Sequence, residues 1–582
     1  MMLRGRQRRR ALLLLMAMML GALLEVVGIG SIPLFVAVLA DPRRAAEILP
    51  SVAPFLEGRG TQSLAIFGAA ILAALFVIKN AFMAGVVWAE AKLARDVAHD
   101  ITTRLYADYL NRSYLFHLQE NAADLIRVVD SDASLTVDLL RNMAVAVREG
   151  AVLILVFALL VFVDPIVSVA VILLIGCSAL AYYSAVRQRL LERGRVIQRQ
   201  RGMRLKSMSE GFAAIKEVKL FGREEHLAEK VSAETGVLES SLVYPRVVAA
   251  LPRLFLEVVG VLGILAVVGA MVAVGREGPA VLPVLALLAA ALARLIPAIN
   301  SFTIAFTHIR SDTAAFVTVS GELQASAARN SGDVIRSAGD GEAVTPTISV
   351  RKLHFRYPGA RNDALRNISL DIAAGEMVAL IGASGAGKTT LVDIILGLLE
   401  PAAGTVNVGG KPLAEVRRAW QRQIGYVPQD ICLFDDTIIR NIAFAVPDAA
   451  IDPAAVERAV EAAGLSAVIA ALPHGGSTVV GSRAKRLSGG QRQRLGIARA
   501  LYHDPLVLVL DEGTSSLDRI TENTVIETLT GLRGRRTIIV VAHSLNAIRA
   551  CDRAFLLQEG ELVDHGTYDE LAERHETLCV LR

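Results

Sequence analysis

The chain has 582 residues, too many for a single hydrophobic core, because such cores stop growing at about 250 to 300 residues. Apolar residues make up 53% of the sequence, more than the roughly 45 to 50% of soluble domains, so a membrane part is expected. The formal net charge of +4 is small for this length and gives no reason to propose a nucleic-acid partner. The cysteines are far apart and form no metal-spaced cluster, so we interpret them as reduced packing residues.

Apolar stretches in the first part of the chain are long enough to cross a membrane, since a helix needs about 20 apolar residues to span roughly 30 Å of hydrocarbon. Six are predicted, near 11–40, 63–90, 143–163, 166–186, 247–274 and 280–305. A run of arginines from Arg4 to Arg10 precedes the first span, and such charge favours the cytoplasmic side. The N-terminus is therefore predicted to be cytoplasmic. A cleaved signal peptide is the alternative, but its apolar core has only about 7 to 15 residues.

Two long charged segments, 91–142 and 187–246, separate the predicted spans on the cytoplasmic side. They are too long for simple turns, so we expect the helices to project beyond the bilayer. Their tips, near 115–129 and 211–223, are candidate contacts for a following domain. On the other side, 41–60 fits either a short amphipathic helix or an ordinary loop.

Charged residues inside the predicted spans cost at least about 2.5 kcal/mol each at mid-bilayer, so they should face the helix bundle or water. Pairing of opposite charges between helices, or extension of the side chains to the interface, is one interpretation. The other is that Lys79, Arg148 and Arg294 bind the anionic head group of a substrate, such as a diphosphate, that enters from the inner leaflet. The residues concerned are Glu25, Lys79, Arg148, Glu149, Glu257 and Arg294, all at similar predicted depth.

The composition changes after the last predicted span. Residues 326–346 are small, polar and charged, which indicates a linker between a membrane domain at 1–325 and a second domain at 347–582. In that second domain, short apolar runs at 377–381, 425–427, 506–510 and 537–542 alternate with helical patterns. This alternation predicts an α/β domain with a parallel sheet.

A glycine-rich segment directly after the predicted strand 377–381 fits the pattern G-x-x-x-x-G-K-[ST]. Glycines let backbone N–H groups curve around phosphate oxygens, the lysine reaches the β- and γ-phosphates, and the hydroxyl after it binds Mg²⁺. The helix that begins there directs its positive end at the anion. The predicted phosphate site consists of Gly382, Ala383, Ser384, Gly385, Ala386, Gly387, Lys388, Thr389 and Thr390.

Two adjacent acids, Asp511 and Glu512, follow the run 506–510, which is apolar enough for a strand buried on both faces. Asp511 is predicted to hold Mg²⁺, and Glu512 to polarise an attacking water. Together with the lysine segment, they predict a site for ATP and Mg²⁺.

Residues 487–491 read LSGGQ and lie between the lysine segment and Asp511. This second half of the chain, over about 235 residues, resembles the ATP-binding cassette (ABC) family at nearly every functional loop. The resemblance implies that Tyr357 stacks on adenine, that Gln429 joins the Mg²⁺ site to the membrane domain, and that His543 contacts the γ-phosphate.

The resemblance also implies that Ser488, Gly489, Gly490 and Gln491 bind the nucleotide held by the lysine segment of an opposing copy, and that 515–518 crosses the interface between copies. A working unit then needs two cassettes, so a homodimer is expected and a heterodimer remains open. Three positions depart from the family pattern, namely Ser482, Ala484 and Ser544. They put the coupling between cassette and membrane domain in question.

Six spans ahead of one cassette resemble the exporter-type transporters of this family. Segments 24–41, 250–260 and 294–297 are similar to the bacterial flippase of lipid-linked oligosaccharides. The resemblance implies an ATPase in the inner membrane, with a cytoplasmic cassette, that flips such a lipid or a similar amphipathic molecule. Alternatives are an exporter of drugs, lipids or peptides, an ATP-gated channel, and a membrane-tethered regulator.

Overall fold

The computed structural model of the protein describes residues 4–40, 61–163, 165–273, 278–332, 344–480, 487–511, 519–542 and 544–575. These residues form two compact units. The first contains the described residues up to Asn111 and from Asn121 to Gly332. The second contains Arg112–Glu120 together with the described residues from 344 onward.

Long helices make up the first unit. In chain order the helices of this part are α1 Gly5–Ala40, α2 Thr61–Leu110, α3 Tyr114–Gln119, α4 Ala122–Arg127, α5 Ala133–Val163, α6 Pro165–Ala213, α7 Ile215–Phe221, α8 Glu224–Ala273 and α9 Gly278–Gly332. A π-helical turn, Val128–Asp132, joins α4 to α5. Helix α3 belongs to the second unit. The buried core of the first unit lies where α1, α5 and α9 pack together, around Ala22, Val152 and Leu295.

Helices run through all the predicted spans. Within the described residues, four stretches are long and apolar enough to cross a membrane, namely Gly5–Leu39, Gln62–Leu110, Ala122–Phe162 and Leu285–Arg329. Residues 166–186 lie in α6 and residues 247–273 in α8. That the predicted spans 166–186 and 247–274 cross the membrane stays a prediction. Helices α2 and α8 have 50 residues each, or roughly 75 Å, so they extend well beyond a hydrocarbon layer of roughly 30 Å.

The predicted linker is partly helical, and its predicted start at 326 is wrong. Helix α9 continues to Gly332, so residues 326–332 form its last turns. Ala327, Ala328 and Arg329 favour a helix, and Arg329 forms an ion pair with Asp108 of α2 at 2.8 Å. The rest of the predicted linker up to 343 lies outside the described residues.

The second unit contains two sheets. The first is antiparallel with the order β2-β1-β4-β5, formed by β1 Ile348–Phe355, β2 Leu365–Ile372, β4 Ala403–Val408 and β5 Lys411–Pro412. The second has the order β10-β9-β3-β8-β7-β6 and is parallel from β9 to β6. Its strands are β3 Met377–Ile381, β6 Ile424–Val427, β7 Val507–Asp511, β8 Thr537–Val541, β9 Arg553–Gln558 and β10 Glu561–Gly566.

Helices cover this second sheet, which explains why β3, β7 and β8 are buried along their whole length. They are α10 Lys388–Ile395, α11 Leu413–Gln421, α12 Ile438–Ile442, α13 Pro453–Ala462, α14 Ser466–Ala470, α15 Gly489–Leu501, α16 Arg519–Gly531, α17 Leu545–Arg549 and α18 Tyr568–Arg574. The predicted α/β domain is confirmed. Because parallel strands end at one edge, the loops after β3 and β7 lie on the same side of the sheet.

Candidate nucleotide-binding site

The loop between β3 and α10 depends on glycines at its two ends. Gly382 and Gly387 have φ angles of +149° and +98°, which favour glycine. A Cβ atom on Gly387 would lie 2.7 Å from Leu365 Cδ2 and 2.8 Å from the carbonyl oxygen of Ala364. No side chain fits at that point, so the loop keeps a tightly curved path from β3 into α10.

Lys388 is the first residue of α10 and is buried. Its Nζ donates hydrogen bonds to the carbonyl oxygens of Gly382 at 2.8 Å and Ala383 at 3.0 Å. The ammonium therefore lies against the beginning of the same loop. Thr389 is exposed and Thr390 is buried. A cation at a glycine loop and a helix N-terminus form an arrangement that binds phosphate groups.

Tyr357 lies beside this loop. Its hydroxyl is 3.1 Å from Thr390 Oγ1, and its ring packs edge-on against Phe355 with 4.9 Å between the ring centres. Tyr357 therefore lies next to the predicted phosphate loop. Two elements that bind the same nucleotide have to be close together in this way.

Asp511 is the last residue of β7 and is buried. Only β8 separates β7 from β3, so two strand spacings, about 10 Å, lie between them. The charge of Asp511 also acts on α10, because burial and the neighbouring Asp511 carboxylate raise the pKa of Asp393 to about 6. The glycine cradle, Lys388 and Asp511 together fit a nucleotide phosphate chain with a bound divalent cation.

Asp393, Tyr426 and Tyr114 were missed by the sequence reasoning. Burial, followed by the charges of Asp511 and Asp393, raises the pKa of Tyr426 in β6. Burial and the same carboxylates raise the pKa of Tyr114 in α3. For Asp393 a signal was present, since it is the single acid in the apolar run 391–399. Tyr114 lies directly before the predicted contact segment 115–129, but nearly half of the chain separates it from Asp393 and no motif links the two.

The LSGGQ segment forms the start of α15. Ser488 is its N-cap: Ser488 Oγ accepts from the Gln491 N–H at 3.2 Å, and Gln491 Oε1 accepts from the Ser488 N–H at 2.9 Å. Helix α15 packs against β6, which lies three strand spacings, about 14 Å, from β3. The lysine loop and the LSGGQ helix of one chain therefore occupy different parts of the sheet.

Gln429 is exposed and follows the end of β6. The segment after it is attached to α15 through Asn441, which is buried in α12. Asn441 exchanges hydrogen bonds with the backbone of Phe434 at 2.9 Å and 3.0 Å. Arg499 of α15 donates to the carbonyl oxygen of Asn441 at 2.8 Å and to that of Cys432 at 2.9 Å. No motif pointed to this connection.

Several predicted residues lie outside the described part of the chain. These are Glu512, His543, Ser482, Ala484 and the segment 515–518. Ser544, a departure from the family pattern, is the N-cap of α17 and accepts a hydrogen bond from the Ala547 N–H at 3.3 Å.

In the first unit, the predicted charged residues of α1, α5 and α9 pair with one another. Arg294 contacts Glu25 at 2.6 Å and Glu149 at 2.9 Å. Arg148 contacts Glu149 at 3.1 Å and Glu90 of α2 at 3.4 Å. The pairing interpretation is thus confirmed for Glu25, Glu149 and the two arginines.

Lys79 and Glu257 behave differently from the paired charges. The Lys79 ammonium lies over the Phe76 ring, 4.7 Å from its centre, and Glu257 is exposed.

Two family profiles match the chain. The profile of the ABC transporter transmembrane region matches residues 11–273, and that of the ABC transporter matches 365–515. An ATP-dependent lipid A-core flippase of Ralstonia nicotianae is 46% identical over 222 residues, 38% of each chain. The ABC transporter ATM1 of Toxoplasma gondii is 40% identical over 222 residues, 38% of this chain and 20% of that one. These matches therefore span less than half of the relatives' length.

A solved structure, a bacterial Atm1-family ABC exporter with ATP bound, superimposes with a TM-score of 0.75 over 99% of this chain and 97% of the other, at 23% identity. The fold is therefore that of an exporter over nearly the whole chain. With a membrane region and one nucleotide-binding cassette in a single polypeptide, the chain is a membrane protein and belongs to the ABC transporters, with the domain composition of a half-transporter.

Proposed function

We propose that the protein is an ATPase that moves an amphipathic lipid across the bacterial inner membrane, with two copies forming the working unit and both cassettes and N-termini in the cytoplasm. One observation supports this most directly. The lysine loop and Asp511 end on one side of the sheet, whereas the LSGGQ helix of the same chain lies about 14 Å farther along it. A second copy supplies the missing side of each site.

Different residues of the site bind different parts of ATP and Mg²⁺. The glycine loop and Lys388 bind the phosphates, and Tyr357 contacts the adenine. Thr389, Gln429 and Asp511 hold Mg²⁺, which when bound neutralises charge on the β- and γ-phosphates. Glu512 orients and polarises the attacking water, and His543 contacts the γ-phosphate.

The partner copy completes the site with the start of its α15. Its LSGGQ residues (Ser488, Gly489, Gly490 and Gln491) approach the γ-phosphate with the positive end of a helix. Closure of two cassettes around ATP is then favoured because only the closed arrangement makes these contacts. The hydrogen bonds between α15 and the segment after Gln429 connect the two. A movement of α15 on closure is therefore passed on to that segment within the cassette.

For the substrate we propose a lipid with an anionic head group. Several relatives of the cassette are named lipid A-core flippases, and lipid-linked oligosaccharides share the same amphipathic, anionic chemistry. Arg148 and Arg294 already have carboxylate partners, so a head group would compete with Glu149 for them. Lys79 contacts an aromatic ring instead, which makes it the cation of the three that a head group reaches with the least rearrangement.

The test is a flipping assay with the full chain reconstituted in liposomes. Labelled lipid-linked oligosaccharide, labelled lipid A-core and an unrelated hydrophobic drug are offered in parallel. Wild type should flip a lipid only with ATP, and Glu512→Gln should bind ATP without turning it over. Export of the drug alone would favour the drug-exporter alternative, and ATP-dependent conductance would favour a channel.

A further inference from the structure

An open groove lies between α1 and α2 on the surface of the first unit. It has a volume of about 540 Å³, within the roughly 300 to 1,000 Å³ of small-molecule sites. Leu13, Leu14 and Ala17 of α1 form one wall, and Phe82, Gly85 and Trp88 of α2 the other. Arg10 and Lys92 lie at one end.

That end coincides with the boundary of the apolar part of both helices. Helix α2 carries one charged residue, Lys79, between Thr61 and Ala89, and charges become frequent from Glu90 onward. Helix α1 is apolar from Ala11 to Leu24 and basic before Ala11. Arg10 and Asp96 form an ion pair at 3.0 Å, so the two boundaries lie at one level. The groove therefore starts at the water interface and runs into the hydrocarbon.

The polar end has an excess of positive charge. Arg10 and Arg95 share the carboxylate of Asp96, at 3.0 Å and 2.7 Å, and the Lys92 ammonium lies over the Trp88 ring, 4.9 Å from its centre. The Arg10 side chain is 46% exposed and Trp88 is 66% exposed. Exposed tryptophan and basic residues at such a boundary contact lipid head groups.

The apolar part has room beside α2. A Cβ atom on Gly85 would meet no atom within 4 Å, and the small Ala17 lines the same space. Leu13, at 61% exposed, extends the apolar surface outward. An alkyl chain fits this part because the lining offers apolar contacts without a polar group to desolvate.

We propose that this groove binds one anionic phospholipid from the leaflet on the side of the N-terminus. Its phosphate contacts Arg10 and Lys92, and one acyl chain lies along Leu13, Ala17 and Gly85. The charge excess at the polar end favours an anionic head group over a zwitterionic one. The proposal depends on the membrane insertion of α1 and α2 but not on ATP hydrolysis, so it can fail while the proposed function stands.

The test uses the purified full chain in detergent, titrated with phosphatidylglycerol or phosphatidylcholine and followed by native mass spectrometry. One variant, Arg10→Gln with Lys92→Gln, removes the charges. A second, Gly85→Leu, fills the apolar part while keeping a good helix former. Lys206→Gln is the matched control, since this lysine is 76% exposed and lies on α6.

Wild type should retain phosphatidylglycerol preferentially. Loss of each cation should weaken its binding about fivefold, so the double variant loses about 25-fold and its preference disappears. Gly85→Leu should weaken both lipids, and Lys206→Gln neither. Equal retention of the two lipids by wild type would overturn the proposal. So would a Gly85→Leu chain that loses dimers and not lipid, because the groove would then be a contact between copies.

Discussion

Arg499 in α15 donates hydrogen bonds to both the backbone carbonyl oxygen and the side-chain Oδ1 of Asn441, at 2.8 Å and 3.0 Å. Asn441 in turn binds both backbone groups of Phe434. The helix that starts at the LSGGQ segment is therefore held to the chain that follows Gln429 by side chains that are largely buried. Movement of either segment is expected to shift the other.

Replacement of Asn441 by leucine tests this connection. The substitution keeps the approximate size but leaves the Phe434 N–H and carbonyl oxygen without their side-chain partner and removes one of the acceptors of Arg499. We expect a cost of about 3 kcal/mol. We expect a lower unfolding temperature for the cassette and slower ATP hydrolysis. The fluorescence of Trp420 reports the unfolding. This side chain is fully buried in the cassette, where its indole N–H donates to the Ile395 carbonyl oxygen at 2.8 Å.

Arg440→Gln is the control for that experiment. Arg440 lies in the same short helix, and its ion pairs with Asp436 and Asp448 are exposed. Exposed pairs contribute about 0 to 1 kcal/mol, so this variant should unfold close to wild type. Equal losses in the two variants would mean that the Asn441 hydrogen bonds carry no special weight.

Sequence reasoning succeeded where one local pattern determines the structure. The strand 377–381 is predictable because a run of five apolar residues directly before a glycine loop is typical of a buried strand. The Asn441–Arg499 contact was not predictable, since both residues lie outside known motifs and only the folded chain brings them together. Charges at similar depth were expected in the spans, but depth does not determine which carboxylate Arg294 contacts. The linker start was misplaced because Ala327 and Ala328 fit a helix as well as a loop.

Arg294→Gln separates a structural role from a substrate-binding role. The substitution leaves Glu25 and Glu149 without their shared guanidinium, and breaking such a largely buried pair costs about 3 kcal/mol. We expect a lower unfolding temperature of the full chain in detergent. Adding Glu25→Gln to this variant should recover part of the loss, because an unpaired carboxylate is removed. If Arg294→Gln unfolds like wild type but loses substrate-stimulated hydrolysis, its main role is in substrate binding.

The glycine loop offers a matched pair of substitutions. Gly387→Ala introduces a Cβ that collides with Leu365 and the Ala364 carbonyl oxygen, whereas a Cβ on Gly385 meets no atom within 4 Å. Both glycines have positive φ angles, so both variants bear a backbone strain of about 1 kcal/mol. We expect Gly387→Ala to reduce ATP binding more than tenfold and Gly385→Ala to reduce it only a few-fold, measured with a fluorescent ATP analogue. If the two variants lose ATP binding to a similar extent, the backbone strain at positive φ, and not the collision of the Cβ, accounts for the loss.

Asp393 gives the cassette a specific dependence on pH. Its pKa is raised from 3.8 to about 6, first by burial and then by the charge of Asp511. Because the folded state keeps this proton to higher pH than the unfolded state, stability falls as pH rises from about 4 to 6 and is then constant with respect to this group. A shift of about two pKa units corresponds to roughly 3 kcal/mol.

Asp393→Asn removes this titration, so the variant should be more stable than wild type at pH 7.5, and the difference should shrink towards pH 4.5. The measurement is Trp420 fluorescence during unfolding of the nucleotide-free, Mg²⁺-free full chain at a series of pH values. Asp363→Asn is the control of opposite sign, because the hydrogen bond from Arg356 lowers the pKa of Asp363. Its carboxylate therefore stabilises the fold above about pH 4, and this contribution is lost as the pH falls further through the lowered pKa. A difference between Asp393→Asn and wild type that does not change with pH would contradict the assignment, since a purely steric effect has no reason to follow the protonation of this carboxylate.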